Sequence, residues 1–557
     1  MDHIIKKYCP RIEFDSYEDF LENFDIVPPE NFNFGYDVVD EWARVEPDKR
    51  ALVWCDDDGH EETFTFTDLM RLSNRAANAF KGLGVKKGTV VMVILRRRWE
   101  YWVTAIALCK IGAILIPASL QLTKKDLIYR ADSAGVEMMV CVADDYVVDQ
   151  VEQALPESPT IKNLVIVAGA REGWHSFNWL ISTADDEWVR PAGEEATRNE
   201  DIMLIYFTSG TTGLAKMVCH NFLHPLGHII TAKYWQQVQE NTLHLSVSDS
   251  GWAKFGWGKI YGQWIAGAAI FGYDMKKFVP TGLMQKVQDY GITTFCVPPT
   301  MYRFMLQEDV SAYDFSCVQT FATAGEPLNP EVTKQWEAVT GKKIREGFGQ
   351  TEGPVLVATF PWIEPKAGSM GKPSPMLHMK LLDEDGRAVE DGEEGRICVT
   401  GLKTKYPPGL FVGYYRNPEL TEEAVGGDYY DLGDLAWRDS AGYYYFVGRA
   451  DDVIKCSGYR IGPFEVESAL IEHPAVVECA ITAAPDPVRG LVVKATVVLA
   501  KGWQPSDALV KELQEHVKKT TAPYKYPTIV EFVDELPKTL GGKIKRAQIR
   551  HESGVEG

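Results

Sequence analysis

A loop rich in glycine and hydroxyl side chains follows an apolar run near the middle of the chain. After Leu204 to Phe207 come six such residues, Thr208, Ser209, Gly210, Thr211, Thr212 and Gly213. Lys216 follows them and adds a positive charge. Glycines let the backbone approach a ligand closely, and hydroxyls, amides and an ammonium group bind the oxygens of a polyphosphate. The loop lacks the Lys-Ser or Lys-Thr pair of a Walker A motif, and an ordinary turn is the alternative interpretation.

Strand-like and helix-like segments alternate on both sides of this loop. Continuous apolar runs predict strands at residues 89–95, 136–142, 163–167, 243–247, 268–271, 293–297 and 320–324. Apolar residues at helical spacing predict helices at 67–82, 99–110, 144–155, 282–290 and 329–340. This alternation is typical of parallel sheets with helices on both faces. We therefore predict an α/β fold in which a buried strand leads into the loop.

The pattern changes after residue 370, where short segments typical of antiparallel strands appear. Strands are predicted at 379–382 and 395–400, and a hairpin at 437–446. Farther on, helices at 463–472 and 506–520 and strands at 476–483 and 492–499 predict a small α+β domain. The polar stretch around Asp451 predicts a hinge. The expected domains are residues 1–449, with a helical N-terminal arm at 1–50 and a β-rich subdomain at about 370–448, and residues 450–557.

Composition argues against several classes of function. The formal net charge of −20 is unfavourable for a general nucleic-acid-binding protein, which needs a basic face. The ten cysteines show neither a CxxC pair nor the spacing of a zinc site, which favours a reducing compartment. The N-terminal residues lack the apolar segment of a signal peptide, so we expect a cytoplasmic location. Residues 101–120 are strongly hydrophobic, but Lys110 and Gly112 favour a buried helix and strand over a membrane span.

Four further motifs follow the loop in order along the chain. They are EGFGQTE from Glu346 to Glu352, YDLGD from Tyr430 to Asp434, GRADDVIKCSGYRIGPFEVE from Gly448 to Glu467, and PKTLGGKIKRAQIR from Pro537 to Arg550. Together with the loop, they resemble the adenylate-forming superfamily of acyl- and aryl-CoA synthetases, luciferases and peptide-synthetase adenylation domains. The resemblance covers almost the whole chain. It is greatest to the AMP-forming medium-chain acyl-CoA synthetases.

This resemblance implies a fold and a two-step reaction. The expected fold has a large N-terminal domain, made of two doubly wound βα subdomains and a small distorted β-barrel, and a small mobile α+β C-terminal domain. In the first step, a carboxylic acid attacks the α-phosphate of ATP to give an acyl-adenylate and pyrophosphate. In the second step, CoA displaces AMP. Mg²⁺ is expected to accompany ATP, and catalysis is expected to depend on positioning and charge stabilisation.

The resemblance also implies roles for individual residues around the nucleotide. Lys543 and Thr351 are expected to be catalytic. The Lys543 ammonium would offset the negative charge that builds up at the α-phosphate, and Thr351 would contact that phosphate. Glu352 is expected to bind the metal, and Asp434 to bind both ribose hydroxyls. Further ATP and AMP contacts are expected from Thr208, Ser209, Gly210, Thr211, Thr212, Gly213, Lys216, Gly325, Glu326, Pro327, Glu346, Gly347, Phe348, Gly349, Gln350, Arg449 and Arg460.

The second step needs a path for CoA and a pocket for the acyl chain. Rotation about Asp451 is expected to replace Lys543 at the site with the segment around Gly458, which has no side chain to obstruct pantetheine. The expected CoA contacts are Ser457, Gly458, Tyr459, Arg489, Lys525 and Tyr526. The expected pocket residues are Trp252, Lys254, Phe255, Trp257 and Gly349. Gly349 stands where acetate-using relatives have a tryptophan, so we expect a short-branched to medium-chain acid.

Several interpretations stay open. The role of Lys254 is undecided between an ion pair, the CoA path and simple packing of its aliphatic stem. An aryl-CoA ligase, or an enzyme that adenylates an amino acid or another acid without CoA, is the alternative function. An inactive nucleotide-binding regulator is disfavoured because Lys543, Glu352 and the glycine loop are all present. The expected partners are a small carboxylic acid, ATP and CoA, with no nucleic acid and no membrane span, and a homodimer is left open.

Overall fold

The computed structural model describes residues 3–208, 215–456, 459–487, 490–538 and 544–555, except for the side chains of Lys455 and Arg460. Its N-terminal part is a mixed α/β structure built on two large sheets, and a smaller α+β part follows. The α/β fold predicted from the alternation of apolar runs and helical periodicity is therefore confirmed.

An eight-stranded sheet carries the strand that leads into the glycine-rich loop. The order of its strands is Gly413–Tyr414, Lys216–Asn221, Ile202–Thr208, Ile114–Pro117, Val90–Ile94, Met138–Val142, Asn163–Val167 and His175–Ser176. From Ile202–Thr208 to His175–Ser176 the neighbouring strands are parallel. Every residue of Val90–Ile94 and Met138–Val142 is buried, because helices cover both faces of a parallel sheet.

A nine-stranded sheet forms the second half of the N-terminal domain. The order of its strands is Lys372–Pro373, Val357–Ala358, Ile344–Phe348, Thr320–Ala324, Thr294–Cys296, Leu243–Ser246, Ala269–Asp274, Arg50–Asp56 and Glu61–Thr65. The strands from Ile344–Phe348 to Arg50–Asp56 are parallel. Parallel strands end at the same edge of a sheet, so the residues that follow Ala324 and Phe348 are neighbours.

Helices surround these sheets and begin at recognisable caps. Thr65 accepts a hydrogen bond from the Asp68 amide while the Asp68 carboxylate accepts one from the Thr65 amide, which forms a capping box. Thr123 and Asp126 form a second one. The α-helices of the N-terminal domain span Tyr17–Asn23, Glu41–Val45, Phe66–Gly82, Glu100–Ile111, Lys124–Ala134, Asp145–Ala154, Phe177–Thr183, His224–Ile229, Ala253–Lys259, Tyr261–Ile265, Pro280–Asp289, Pro299–Met305, Pro330–Thr340 and Pro418–Val425.

The strand after the glycine-rich loop was not predicted from the sequence. Lys216–Asn221 runs antiparallel to Ile202–Thr208, and Lys216 is the partner of Thr208 in the register. The loop therefore joins the two strands of a hairpin instead of connecting a strand to a helix. Gly413–Tyr414 then pairs with the outer side of Lys216–Asn221.

The smaller sheets include strands at or near the predicted positions, but Ile454–Cys456, Tyr459–Ile461 and Ile529–Phe532 were not predicted. A four-stranded antiparallel sheet contains Met379–Leu382, Glu394–Thr400, Tyr429–Arg438 and Tyr444–Arg449. The C-terminal part contains a three-stranded sheet of Val476–Asp486, Gly490–Leu499 and Ile529–Phe532, the pair Ile454–Cys456 and Tyr459–Ile461, and the helices Pro463–Ile471, Asp507–Thr520 and Arg546–Glu552.

Polar contacts join the C-terminal part to the N-terminal domain. The Asn329 amide donates to the Ser468 carbonyl at 3.1 Å. Arg303 lies 3.8 Å from the Glu478 carboxylate, which also forms a 2.8 Å ion pair with Lys538. Among the described residues, no helix is both long enough and apolar enough to cross a membrane.

The N-terminal arm is part of the main core and not a loose extension. Phe14, Phe20 and Phe24 form an aromatic cluster with Tyr234 and Trp362, and Phe20 lies 4.5 Å from Tyr234 between ring centroids. The Trp362 indole also donates to the Phe14 carbonyl at 3.0 Å. The arm thus packs against both the helical segment that contains Tyr234 and the loop that contains Trp362.

Phe20→Ala tests the contribution of this arm to stability. Phe20 is fully buried, so its truncation should lower the free energy of unfolding by about 3–5 kcal/mol and the midpoint of thermal unfolding by several degrees. Leu21→Ala on the same helix is the control, because Leu21 is 41% exposed. Differential scanning fluorimetry measures both, and equal shifts would show that the arm does not stabilise the core.

Candidate active site

The turn Gln350 to Glu352 is the point at which the three sheets of the N-terminal domain meet. It follows Ile344–Phe348 of the nine-stranded sheet. The Gln350 side-chain amide donates to the Leu432 carbonyl at 2.7 Å and to the Asp434 carboxylate at 2.5 Å, both on the four-stranded sheet. The Tyr430 hydroxyl donates to the Gln350 side-chain carbonyl at 3.1 Å. These bonds join the predicted phosphate-contacting turn to the predicted ribose contact.

The segment from Phe411 to Tyr414, which ends in the edge strand of the eight-stranded sheet, contacts the other end of this turn. The Phe411 amide donates to the Glu352 carbonyl at 2.7 Å. The Tyr414 hydroxyl lies 3.4 Å from the Glu352 carboxylate, and the Lys216 ammonium lies 5.4 Å from the centre of the Tyr414 ring. Tyr414 therefore brings Lys216 and Glu352, predicted separately from two motifs, to the same place.

Asp434 and Arg449 are partners across neighbouring strands. Asp434 is buried, whereas Arg449 extends toward solvent and forms a 2.9 Å ion pair with Asp451. A carboxylate accepts hydrogen bonds from two hydroxyls at once, as a ribose presents them. The same ion pair places the predicted hinge residue beside the predicted ribose contacts.

Gly325 and Glu346 belong to the two segments predicted to form the adenine wall. Gly325 has a φ of 100°, a region that favours glycine, directly after Thr320–Ala324. The Glu346 carboxylate accepts a 3.3 Å hydrogen bond from the Leu328 amide, which joins the two segments. Burial raises the pKa of Glu346 to about 8 from its ordinary value of 4.5, and the bond from Leu328 opposes this rise. Thr300 donates to the Glu326 carboxylate at 2.6 Å.

Glu352 fits the kind of site in which nucleotide phosphates share the coordination of Mg²⁺. Within the described ranges, the structure contains no cluster of three or more His, Cys, Asp or Glu side chains suited to a metal. Mg²⁺ is commonly held by one or two carboxylates together with phosphate oxygens and water, and not by a complete protein cage. A single carboxylate that shares the Tyr414 side chain as a neighbour with Lys216 matches this mode.

The two glycines of the EGFG segment contact tryptophan rings. A Cβ atom on Gly349 would overlap the indole of Trp257, and one on Gly347 would overlap the indole of Trp235. The two indoles are perpendicular, with 6.2 Å between ring centroids. The space beside Gly349 is thus bounded by an aromatic side chain from another element. Trp235 was not among the predicted pocket residues.

The other predicted pocket residues point in different directions. The Lys254 ammonium donates to the Ala324 carbonyl at 2.5 Å, immediately before Gly325. Phe255 is buried in the core, where it packs against Tyr101 at 4.7 Å and Trp102 at 5.4 Å between ring centroids. Lys254 therefore lies beside one segment of the predicted adenine wall, whereas Phe255 is part of the core. Trp252 is partly buried at the start of Ala253–Lys259.

Three of the predicted CoA residues lie close together on the C-terminal part. Tyr459 and Tyr524 are exposed and stacked, with 4.1 Å between ring centroids. Lys525 lies 5.6 Å from the Tyr524 ring and forms an ion pair with Glu465. The ammonium of Lys518 lies 4.3 Å from the ring of Tyr526. This surface combines stacked rings with basic groups.

Several predicted residues lie outside the part that the structure describes. They are Ser209, Gly210, Thr211, Thr212, Gly213, Ser457, Gly458, Arg489, Lys543 and the side chain of Arg460. Thr208 and Lys216, at either end of the glycine-rich loop, are described and paired in the hairpin. Thr351 lies in the turn. Pro327 and Phe348 belong to the two segments predicted to form the adenine wall, and Phe348 is the last residue of its strand.

Comparison with known proteins identifies the family. A sequence model of the AMP-binding enzyme family matches residues 39–415, and one of the AMP-binding enzyme C-terminal domain matches residues 465–543. The chain belongs to the AMP-binding enzyme family. The resemblance seen in the five motifs is thereby confirmed, and so is the order of a large N-terminal domain and a small C-terminal one.

Curated members of this family align along nearly the full chain. The acyl-coenzyme A synthetase ACSM3, mitochondrial, of Mus musculus is 41% identical over 552 residues, which cover 97% of this chain and 94% of that protein. The acyl-coenzyme A synthetase ACSM4, mitochondrial, of Homo sapiens is 43% identical over 535 residues, which cover 94% of this chain and 91% of that protein. The chain is an AMP-binding enzyme of the acyl-CoA synthetase type.

A solved structure of the family has the same architecture. The anthranilate CoA ligase AuaEII in complex with anthranoyl-AMP superimposes with a TM-score of 0.86 at 27% sequence identity. The alignment covers 94% of this chain and 98% of that chain. Anthranoyl-AMP is an acyl-adenylate, the type of intermediate that the motifs imply for this AMP-binding enzyme.

Glu346→Gln tests the protonation of the buried carboxyl group. Between about pH 4.5 and 8, the unfolded chain has lost a proton that folded Glu346 retains, so wild-type stability should fall as the pH rises through this range. Glutamine keeps an acceptor for the Leu328 amide but does not titrate. The variant should therefore lose less stability than the wild type between pH 5 and 8, measured as the change in the thermal midpoint. Parallel pH dependences would show that Glu346 ionises normally in the folded protein.

Proposed function

We propose that this protein is an AMP-forming acid–CoA ligase that activates a short-branched to medium-chain carboxylic acid with ATP and transfers the acyl group to CoA. The observation that carries the proposal is the Gln350 to Glu352 turn. It connects to Asp434 and, through Tyr414, to Lys216, and it follows directly on the two glycines that contact tryptophan rings. Nucleotide contacts and an acyl pocket are thus adjacent.

The first step forms one bond and breaks another at the α-phosphorus. A carboxylate oxygen of the acid attacks the α-phosphorus of ATP, and the bond to the bridging oxygen of pyrophosphate breaks. Thr351 is proposed to contact the α-phosphate, while Lys216 and the glycine-rich loop hold the departing pyrophosphate. Mg²⁺ bound by Glu352 would neutralise phosphate charge. The adenylate is kept in place by Asp434 at the ribose and by the wall that contains Gly325 and Glu346.

Lys543 is proposed to complete this step from the C-terminal domain. Its ammonium would lie between the carboxylate and the α-phosphate, where negative charge accumulates. The domain would then rotate about Asp451. The Arg449–Asp451 ion pair, 2.9 Å long and partly exposed, is weak enough to break during such a rotation.

The second step transfers the acyl group to sulfur. The CoA thiol releases its proton to solvent and its sulfur attacks the acyl carbonyl carbon, and the carbon–oxygen bond to the AMP phosphate breaks, so that AMP leaves. Tyr459, Lys525 and Tyr526 are proposed to bind the nucleotide part of CoA together with Arg489. Stacked rings and ammonium groups suit a purine and its phosphates. Ser457 and Gly458 would approach the adenylate along the pantetheine path.

The contact between Trp257 and Gly349 supports an acyl chain of limited length. An indole lies where a side chain at position 349 would otherwise project, so the pocket is closed by an aromatic ring from a different element. Each methylene buried in such a pocket contributes about 0.8 kcal/mol, roughly a fourfold preference, until the wall is reached. A medium-chain or branched acid should therefore be preferred over acetate and over long chains.

An aryl-CoA ligase is the second candidate. The indole of Trp257 beside Gly349 is a flat surface against which a benzoate ring would stack, and the structurally similar AuaEII is named as an anthranilate CoA ligase. A cytoplasmic location and a requirement for Mg²⁺ are further predictions, and the names of the curated relatives place those relatives in mitochondria.

A panel of acids tests the substrate class, and Trp257→Ala tests the pocket wall. The wild type should show its highest kcat/KM with a branched or medium-chain acid among acetate, butyrate, 2-methylbutyrate, hexanoate, octanoate and benzoate.

Removal of the Trp257 indole should shift the optimum toward acids longer by about two to four carbons, because each added methylene again finds apolar surface. Ratios of kcat/KM between acids are compared because they do not depend on the amount of folded enzyme. A clear preference of the wild type for acetate would contradict the proposal, and benzoate as the best substrate would favour the second candidate.

Lys543→Ala tests the division of labour between the two steps. The variant should lose acid-dependent pyrophosphate exchange by at least about 100-fold, because the charge offset at the α-phosphate is removed. Conversion of a supplied acyl-adenylate and CoA to the thioester should change much less. Lys545→Ala, two residues along the same basic segment, is the matched control. Full pyrophosphate exchange in Lys543→Ala would refute the catalytic role.

A further inference from the structure

Three buried histidines lie behind the Gln350 to Glu352 turn. His220 is the residue before the last in the strand Lys216–Asn221, and His224 and His228 follow at intervals of four residues on the next helix. All three are at most 2% exposed. Burying three imidazoles in an apolar core is unfavourable unless their polar atoms are used. Their partners therefore indicate what they do.

His220 contacts the backbone of the turn directly. Its Nε2 atom lies 2.8 Å from the carbonyl oxygen of Thr351. A carbonyl only accepts hydrogen bonds, so Nε2 carries the proton and donates it. Burial lowers the pKa of His220 to about 4, and the bond to Thr351 opposes this shift. His220 is thus a neutral donor at physiological pH, and its Nδ1 atom has no hydrogen-bond partner among the described residues.

The other two histidines connect His220 to Val355, three residues after the turn. The rings of His220 and His224 pack with 4.0 Å between centroids. The Nε2 atoms of His224 and His228 are 3.1 Å apart, and His228 bonds through Nδ1 to the Thr231 hydroxyl at 3.2 Å. That hydroxyl accepts a 3.3 Å bond from the Val355 amide.

The histidine stack is therefore connected to the backbone at two positions, directly at Thr351 and through the Thr231 hydroxyl at Val355. Between them lies Glu352, the expected metal-binding residue. The rings that neighbour the stack are the neutral Tyr206, Tyr261 and Trp257. A titrating role has no support in these surroundings, whereas a fixed donor at the Thr351 carbonyl has a direct geometric basis.

We propose that His220 is a positioning residue for nucleotide activation: its Nε2–H bond fixes the Thr351 carbonyl and thereby the orientation of the Thr351 and Glu352 side chains toward the phosphates of ATP. The inference rests on the proposed function of this turn in nucleotide binding. His224 and His228 hold the imidazole of His220 in place by ring packing and by their connection to Thr231.

Two substitutions of His220 separate the hydrogen bond from simple packing. His220→Gln places an amide donor near the position of Nε2, whereas His220→Leu fills a similar volume without a donor. His244→Leu is the matched control, because His244 is also fully buried and, within the described part of the chain, has its hydrogen bond to the Thr294 hydroxyl, at 2.7 Å, on the nine-stranded sheet. Each variant is measured for binding of a non-hydrolysable ATP analogue with Mg²⁺ by calorimetry, for acid-dependent pyrophosphate release, and for its thermal midpoint.

His220→Leu should weaken binding of the analogue about tenfold and lower kcat for pyrophosphate release by roughly 10- to 100-fold, because small displacements at a reacting phosphate are costly. The KM for the acid should change little, and His220→Gln should restore most of the lost binding and activity. His244→Leu should lower the thermal midpoint by a similar amount while its folded fraction binds and reacts normally. The pH profile of His220→Gln should keep the inflections of the wild type.

The proposal is overturned if His220→Leu binds the analogue as the wild type does, or if Gln and Leu are equally impaired at position 220. Loss of an inflection near neutral pH in His220→Gln would also overturn it, since His220 would then titrate. A wild type that binds the analogue but releases no pyrophosphate with any acid would contradict the proposed function instead. In that case the binding comparison still decides the role of His220.

Discussion

The arrangement of the candidate site depends on how the Gln350 to Glu352 turn is fixed. The turn leaves one sheet, is bonded through the Gln350 side chain to a second, and is bonded through the Thr351 carbonyl to His220 of the third. The Glu352 carbonyl is bonded to Phe411, just before the edge strand of that third sheet. A backbone carbonyl without a partner in such a place is unfavourable, so each bond restricts the orientation that the turn adopts. Because each sheet supplies a different part of the candidate site, loss of any one set of bonds would separate the proposed nucleotide contacts.

Most of the fold could be predicted from local patterns. The strands Asn163–Val167, Thr320–Ala324 and Met379–Leu382 have the predicted limits, because buried strands are uninterrupted apolar runs bounded by polar or turn residues. The strand Lys216–Asn221 was missed because the sequence KMVCHN is short and mixes polar with apolar residues. The burial of the N-terminal arm was missed for a different reason. Phe20 meets Tyr234 and Trp362, which are remote in the sequence, and no local pattern reports such a contact.

The candidate site divides in the same way. Glu352, Asp434 and Lys216 were predicted because they belong to compact motifs in which residue type and spacing carry the chemistry. Trp235 and Tyr414, which pack against those motifs, lie in segments without a motif of their own. His220, His224 and His228 do have a signal, their spacing of four residues in HNFLHPLGH, but spacing alone does not distinguish a metal site from a packed stack. Their partners became evident only from the distances to Thr351 and Thr231.

The contact between Gly349 and Trp257 restricts how the substrate preference of this protein can evolve. The Trp257 indole occupies the space into which a side chain at position 349 would project, so a larger residue at 349 requires a smaller one at 257. Two orders of substitution are available, and they are not equivalent. If position 349 grows first, the intermediate is overpacked against the Pro354 backbone as well as the indole, which interiors tolerate poorly. If position 257 shrinks first, the intermediate has a deeper pocket that an ordinary ligand or water can fill. Lineages that change acyl specificity through this pair should therefore pass through a broad-specificity ancestor.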